Sequence, residues 1–153
     1  MVKRIIWAND GSPSAGRSLP VIRDLVASTG AGLTIGCVHR EWHIGRRPVL
    51  VEDHRQIEEG MRRRADQLKA EGLSVDLVMT TNDAGHPAQV IADLADSEDA
   101  DLIVVGSHGR GPVADLFLGS FTSHLLKVVH RPVLIVPWRP HSADPESADP
   151  VAG

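Results

Sequence analysis

Apolar and polar positions follow two regimes along the chain. Nearly continuous aliphatic runs recur five times, from Arg4 to Ala8, Leu33 to His39, Val75 to Thr80, Asp101 to Gly106 and Pro132 to Pro137. Ile103-Val104-Val105 and Val133-Leu134-Ile135-Val136 leave no polar position to face water. Such runs suit strands covered on both faces, hence a parallel sheet between helical layers.

Between the runs the apolar spacing becomes helical. Ser12-Pro13 supplies an N-cap and a first-turn proline, and Ala15, Leu19, Ile22 and Val26 recur on one face. Pro20 lies within that helix and is expected to kink it by removing a backbone donor, with Gly16 to soften the bend. A second helix from about Val51 to Ala70 carries Ile57, Met61, Ala65 and Leu68 on one face. Glu58 with Arg62 and Glu59 with Arg63 stand four apart on it, so Arg62-Arg63-Arg64 reads as a solvated helix face, not a nucleic-acid patch. A third helix starts at His86-Pro87 and uses Ala88, Ile91 and Leu94. A fourth, from about Ser120, uses Phe121, Leu125 and Val128 and must stop before Pro132. Residues 41–50 read as an irregular connector with Trp42, Gly45 and Pro48. From Arg139 onward small, acidic and proline residues dominate, and Ser-Ala-Asp-Pro appears twice. That composition predicts a domain over residues 1–138 and a disordered tail over 139–153.

Composition narrows the classes. The 153 residues suffice for one domain with a sizeable core, and the 42% hydrophobic and 24% charged fractions are ordinary for a soluble protein. A net charge of -4 argues against a general nucleic-acid grip. No apolar run approaches the length of a membrane span, and the start, Met1 to Trp7, reads as a strand and not a secretory signal. The single cysteine, Cys37, allows no internal disulfide, and a cytoplasmic location is expected.

The candidate chemistry lies after the fourth run. Gly106-Ser107-His108-Gly109 is followed by Gly119-Ser120, giving the pattern G-x-x-G-x9-G-S between a buried strand and a helix start. Glycines let a backbone approach an anion, and the free amides of a helix's first turn point at it. Twelve positions separate Gly106 from Gly119, long for a mere strand-to-helix link.

This arrangement resembles the universal stress protein family. Asp10-Gly11-Ser12 looks like that family's D-G-S turn, and residues 100–110 are close to its A-D-L-I-V-x-G-S-H-G-R segment. Leu118-Gly119-Ser120 and residues 131–136 match its L-G-S and C-P-V-L-V-V stretches. The resemblance implies a single doubly wound, Rossmann-like α/β domain with five parallel strands in the order 3-2-1-4-5 and helices on both faces. It also implies ATP binding where the glycine pattern is intact, and dimerisation through the fifth strand, here Val133 to Val136.

In that order strands one and four are neighbours whose connections leave toward opposite sides, so Asp10 and the Gly106 loop should face one another. The resemblance implies a nucleotide site of Ala8, Asp10, Gly11, Val38, Val105, Gly106, Ser107, His108, Gly109, Arg110, Gly119, Ser120 and Phe121. Gly106 and Gly109 pass against ribose and phosphate, or serve only a turn. Gly119 and Ser120 take phosphate oxygens, and Ser120 also suits a helix cap. Asp10 lies near ribose or a magnesium ion brought by ATP, or caps the first helix. Ala8, Val38 and Val105 line an apolar slot for adenine, yet would be core residues in any case. Arg110 either neutralises phosphate or faces solvent, and no proton-transfer role is implied for His108. The chain departs from the family at Asn9, Gly111-Pro112 and Asp115, and the last adds negative charge that would weaken triphosphate binding if it faced the site.

Other chemistries fail. There is no G-x-x-x-x-G-K-[ST] loop and no G-x-S-x-G elbow. His43-Ile44-Gly45-Arg46 resembles an adenylate-binding H-I-G-H signature but follows the second strand and lacks its last histidine. His39 with His43 is no metal site without further ligands. The reading is a non-enzymatic ATP-binding stress-response module acting as a homodimer. A slow ATPase, or an interaction protein with a degraded pocket, stands as the alternative.

Overall fold

A computed structural model of the chain describes residues 1–40, 42–44, 47–49, 52–82, 86–107 and 118–137. The expected tail lies outside these residues, as do His108, Gly109, Arg110, Pro112 and Asp115.

Along the chain, β1 (Arg4–Ala8) leads into a short α1 (Pro13–Gly16), then α2 (Leu19–Thr29) and β2 (Gly32–Arg40). A small pair, β3 (Trp42–Ile44) and β4 (Arg47–Val49), precedes α3 (Glu52–Ala70). The rest alternates as β5 (Val75–Asn82), α4 (Pro87–Ser97), β6 (Leu102–Gly106), α5 (Ser120–Val128) and β7 (Val133–Val136). The main sheet has the order β5-β2-β1-β6-β7, all parallel, which is the expected 3-2-1-4-5 when its five strands are counted along the chain. β1 is central, pairing β2 from Arg4↔Gly32 to Ala8↔Gly36 and β6 from Ile5↔Leu102 to Trp7↔Val104.

The side-chain alternation of β1 divides the core in two. Ile5 and Trp7 join Leu19, Ile22 and Val26 of α2 and Met61, Ala65 and Leu68 of α3. Ile6 and Ala8 join Ala88, Ile91, Ala92 and Ala95 of α4 and Leu125 of α5 on the other face. The helical spacings read from the sequence therefore mark the buried stripes, and the continuous strand runs reflect double coverage. Glu58 pairs with Arg62 at 2.7 Å and Glu59 with Arg63 at 3.9 Å on the outer face of α3. No helix among the described residues is long and apolar enough to cross a membrane.

Two local expectations are corrected. Pro20 does not kink a continuous helix: the chain breaks at Arg17–Ser18 and Pro20 falls in the first turn of α2, where its missing N–H has no intrahelical use. The stretch read as an irregular connector contains the antiparallel pair β3–β4, with Trp42 opposite Val49 and Ile44 opposite Arg47. Each strand is three residues long, too short for an alternation to declare itself.

Polar ties fasten the starts of the central strands. Asp101 Oδ2 accepts the backbone N–H groups of Lys3 at 2.7 Å and Arg4 at 3.0 Å, locking β6 against β1. Glu98 Oε2 accepts from Thr34 Oγ1 at 2.7 Å and Arg4 Nη1 at 3.0 Å. Arg131 bonds Asp96, Asp99 and the Ala100 carbonyl, and the two carboxylates, Asp96 first, hold its guanidinium more firmly protonated than usual.

The Lys3 amide, then that of Arg4, holds the Asp101 carboxyl below the ordinary carboxylate range. Its contribution to stability is therefore complete above the unfolded value of about 3.9 and is lost as pH falls through the lower folded value. Asp101→Ala should lower the urea midpoint at neutral pH, with the gap to wild type closing below about pH 4. Urea titrations across pH 2.5–7 (roughly the window set by those values) check this.

Candidate functional site

The reversal of connection direction falls between β1 and β6, and their carboxyl ends open side by side. In doubly wound sheets ligands sit in that crevice. After β1, Asn9 is buried and its N–H donates to the Gly36 carbonyl at 3.0 Å, extending the strand pairing by one residue. Its Oδ1 accepts the Gly11 N–H at 2.8 Å, and Asp10 Oδ1 accepts the Ser12 N–H at 2.9 Å. Gly11 sits at φ 79, the left-handed region that favours glycine. Ser12 Oγ then accepts the Ala15 N–H at 3.2 Å, the N-cap bond expected of it. Successive side chains thus fold the turn and start α1, and half-buried Asp10 takes part through one of its two carboxylate oxygens.

α1 comes to rest on the end of β6. A Cβ at position 106 would lie 3.0 Å from Ser14 Oγ and 3.1 Å from the Ser14 carbonyl oxygen, so a side chain there would crowd Ser14. The peptide groups around it are also committed. The Gly106 carbonyl accepts from Thr122 Oγ1 at 3.0 Å, the Ser107 N–H donates to Val136 O at 2.9 Å, and the Ser107 carbonyl accepts the Gly119 N–H at 2.8 Å.

The helix terminus with no side-chain cap lies at the next element. α5 begins with Gly119 as N-cap and no side chain capping it, so Ser120 is its first helical residue and not the cap allowed by the sequence. With no hydroxyl at the N-cap, the amides of Ser120, Phe121 and Thr122 head the helix without intrahelical partners. Ser120 is exposed beside them, in the positive field of the helix terminus.

The apolar members converge on one face. Ala8, Val38 and Val105 lie at or near the carboxyl ends of the adjacent strands β1, β2 and β6; Ala8 and Val105 belong to one buried cluster, with Val38 and Phe121 packed against it. Val38 and Phe121 are half-buried and can border a ligand, whereas Val105 is sealed in the core. The structure thus gathers Ala8, Asp10, Gly11, Val38, Val105, Gly106, Ser107, Gly119, Ser120 and Phe121 at one end of the sheet. His108, Gly109 and Arg110 lie outside the described residues. No group of three or more His, Cys, Asp or Glu among the described residues could hold a metal. A magnesium ion here would need phosphate oxygens and water beside a single carboxylate.

Sequence reasoning missed Thr122 and noted Asn9 only as a departure from the family, not for its part in the turn. Thr122 is buried and three residues before Leu125, a polar group on an otherwise apolar helix face, which was the available signal.

Residues 1–137 match the universal stress protein family. The chain belongs to that family. A universal stress protein of Thermus aquaticus is 36% identical over 146 residues, covering 89% of this chain and 99% of its own. A universal stress protein structure from Lactobacillus plantarum superposes with a TM-score of 0.72 at 18% identity, covering 88% of this chain and 97% of that one, a likeness of fold. Another universal stress protein, solved in complex with cAMP, gives a TM-score of 0.65 at 25% identity over 89% of this chain and 97% of that one.

The tight seat of Gly106 has a measurable consequence for this universal stress protein domain. Gly106→Ala would press on Ser14 Oγ and on the Ser14 carbonyl, so α1 has to give by a few tenths of an ångström. A loss of about 1–3 kcal/mol is expected, as for other overpacked positions. Chemical denaturation measures it, and an unchanged midpoint would show that α1 yields freely.

Proposed function

We propose that this universal stress protein binds an adenine nucleotide, ATP with magnesium, and that occupancy biases its assembly or partner recognition. The observation that carries this reading is the glycine-capped start of α5, where no side chain caps first-turn amides that lack intrahelical partners, at the crevice between β1 and β6. The amides and hydroxyl of Ser120 and its neighbours would take phosphate oxygens. The half-buried rim of Val38 and Phe121 over Ala8 would take the base, and Asp10 would face the ribose or a phosphate-bound magnesium ion. That a related protein of similar fold was solved with cAMP supports the adenylate class. The module is read as a binder that leaves ATP intact, and chromatography of ATP after hours of incubation tests for turnover.

Ser120→Glu tests the site without disturbing the fold. The position is exposed and first in α5, where an acidic side chain favours the helix dipole. Isothermal titration should show saturable Mg-ATP binding by wild type and at least about tenfold weaker binding by the variant, at unchanged or raised thermal stability. Equal ATP affinity in both proteins would reject the anion site.

The same reading includes a homodimer through β7. Among the described residues that strand has a neighbour on one side only, and its four residues are half-buried. Open edges of this kind are normally covered or paired. Light scattering should give about twice the 16.5 kDa chain mass, and a monomer mass would reject the dimer.

A further inference from the structure

The geometry points to Thr122 as the positioning residue of the anion-binding turn, an inference that rests on the nucleotide reading above. A threonine inside a helix usually turns its hydroxyl back to a carbonyl three or four residues earlier. Thr122 does not. Its Oγ1 donates to the carbonyl of Gly106, sixteen residues away at the end of β6, at 3.0 Å, and the residue is 2% exposed.

That bond works beside a second one, from the Gly119 N–H to the Ser107 carbonyl at 2.8 Å. Together they tie the N-cap and the third residue of α5 to two successive peptide groups of the strand end. The Ser107 N–H is in turn fixed to Val136 O at 2.9 Å, so the anchor belongs to the sheet itself. The amides of Ser120, Phe121 and Thr122, which lack intrahelical partners, lie within the tied turn. Their direction relative to Asp10 and the β1 end is thereby set before any ligand arrives. Preorganised donors of this kind bind without the entropy cost of ordering a loop.

The apolar side of the site has a separate support. Ala8, Val38 and Phe121 are held by the α4–α5 core and not by the Thr122 hydroxyl. Loss of that hydroxyl should therefore weaken the grip on phosphate and spare the grip on the base. A merely structural threonine would move both together.

The experiment is titration calorimetry of Thr122→Val and Thr122→Ser with Mg-ATP and, separately, with adenosine. Valine keeps the shape and removes the donor; serine keeps the donor. Valine should bind ATP roughly five- to tenfold more weakly than wild type, the range of one buried hydrogen bond, with adenosine affinity unchanged. Serine should bind both as wild type does. Valine binding ATP normally, or losing ATP and adenosine equally, overturns the positioning role while leaving the nucleotide site standing. Wild type binding neither ligand overturns the nucleotide reading and this inference with it. Should valine fail to fold, Thr122→Ala also removes the donor without adding bulk and is judged by the same two affinities.

Discussion

β1 and β6 are covered on both faces, and much of the architecture follows from that constraint. A strand buried on two sides must find its hydrogen-bond partners in neighbouring strands, and its connections must run over the helical layers. Here the helices divide, α2 and α3 on one face and α4 and α5 on the other, because β1 alternates Ile5 and Trp7 with Ile6 and Ala8. The chain leaves β1 for one layer and β6 for the other. A crevice at their carboxyl ends is then a consequence of topology, before any residue is chosen to fill it.

The polar groups are distributed to suit that geometry. The ties that close the sheet at the strand starts are side-chain ones: Asp101 on the Lys3 and Arg4 amides, Glu98 between Thr34 and Arg4, and Arg131 between Asp96 and Asp99. At the opposite end the ties run largely through backbone groups, with Thr122, Asn9, Asp10 and Ser12 as short side-chain partners. Short side-chain partners fix the strand ends, and none of them caps the amides of Ser120, Phe121 and Thr122.

Much of this was legible in the chain. Continuous aliphatic runs announced doubly covered strands, and the spacing of Met61, Ala65 and Leu68 marked a buried helix stripe before its partners were known. What escaped was information carried by distant neighbours. Pro20 reads as a kink only if the helix is assumed continuous, and nothing local says that the chain breaks at Arg17–Ser18. The β3–β4 pair is held by cross-strand register, which a three-residue run cannot display. Thr122 shows in sequence only as a polar group on an apolar helix face, and its partner, the Gly106 carbonyl, is sixteen residues away.

Gly106 shows why a motif and its mechanism must be separated. In sequence it opens a glycine pattern, and the natural inference is that its missing side chain makes room for phosphate. The packing gives that space to Ser14 of α1, and the flanking peptide groups already have protein partners. The glycine that bears on the helix amides is Gly119, which brings no capping hydroxyl to the start of α5. Two glycines of one motif thus act on different contacts: one admits a neighbouring backbone, the other withholds a competing acceptor. The first lets α1 close over the end of β6, and the second leaves the α5 terminus in need of an acceptor from outside the helix.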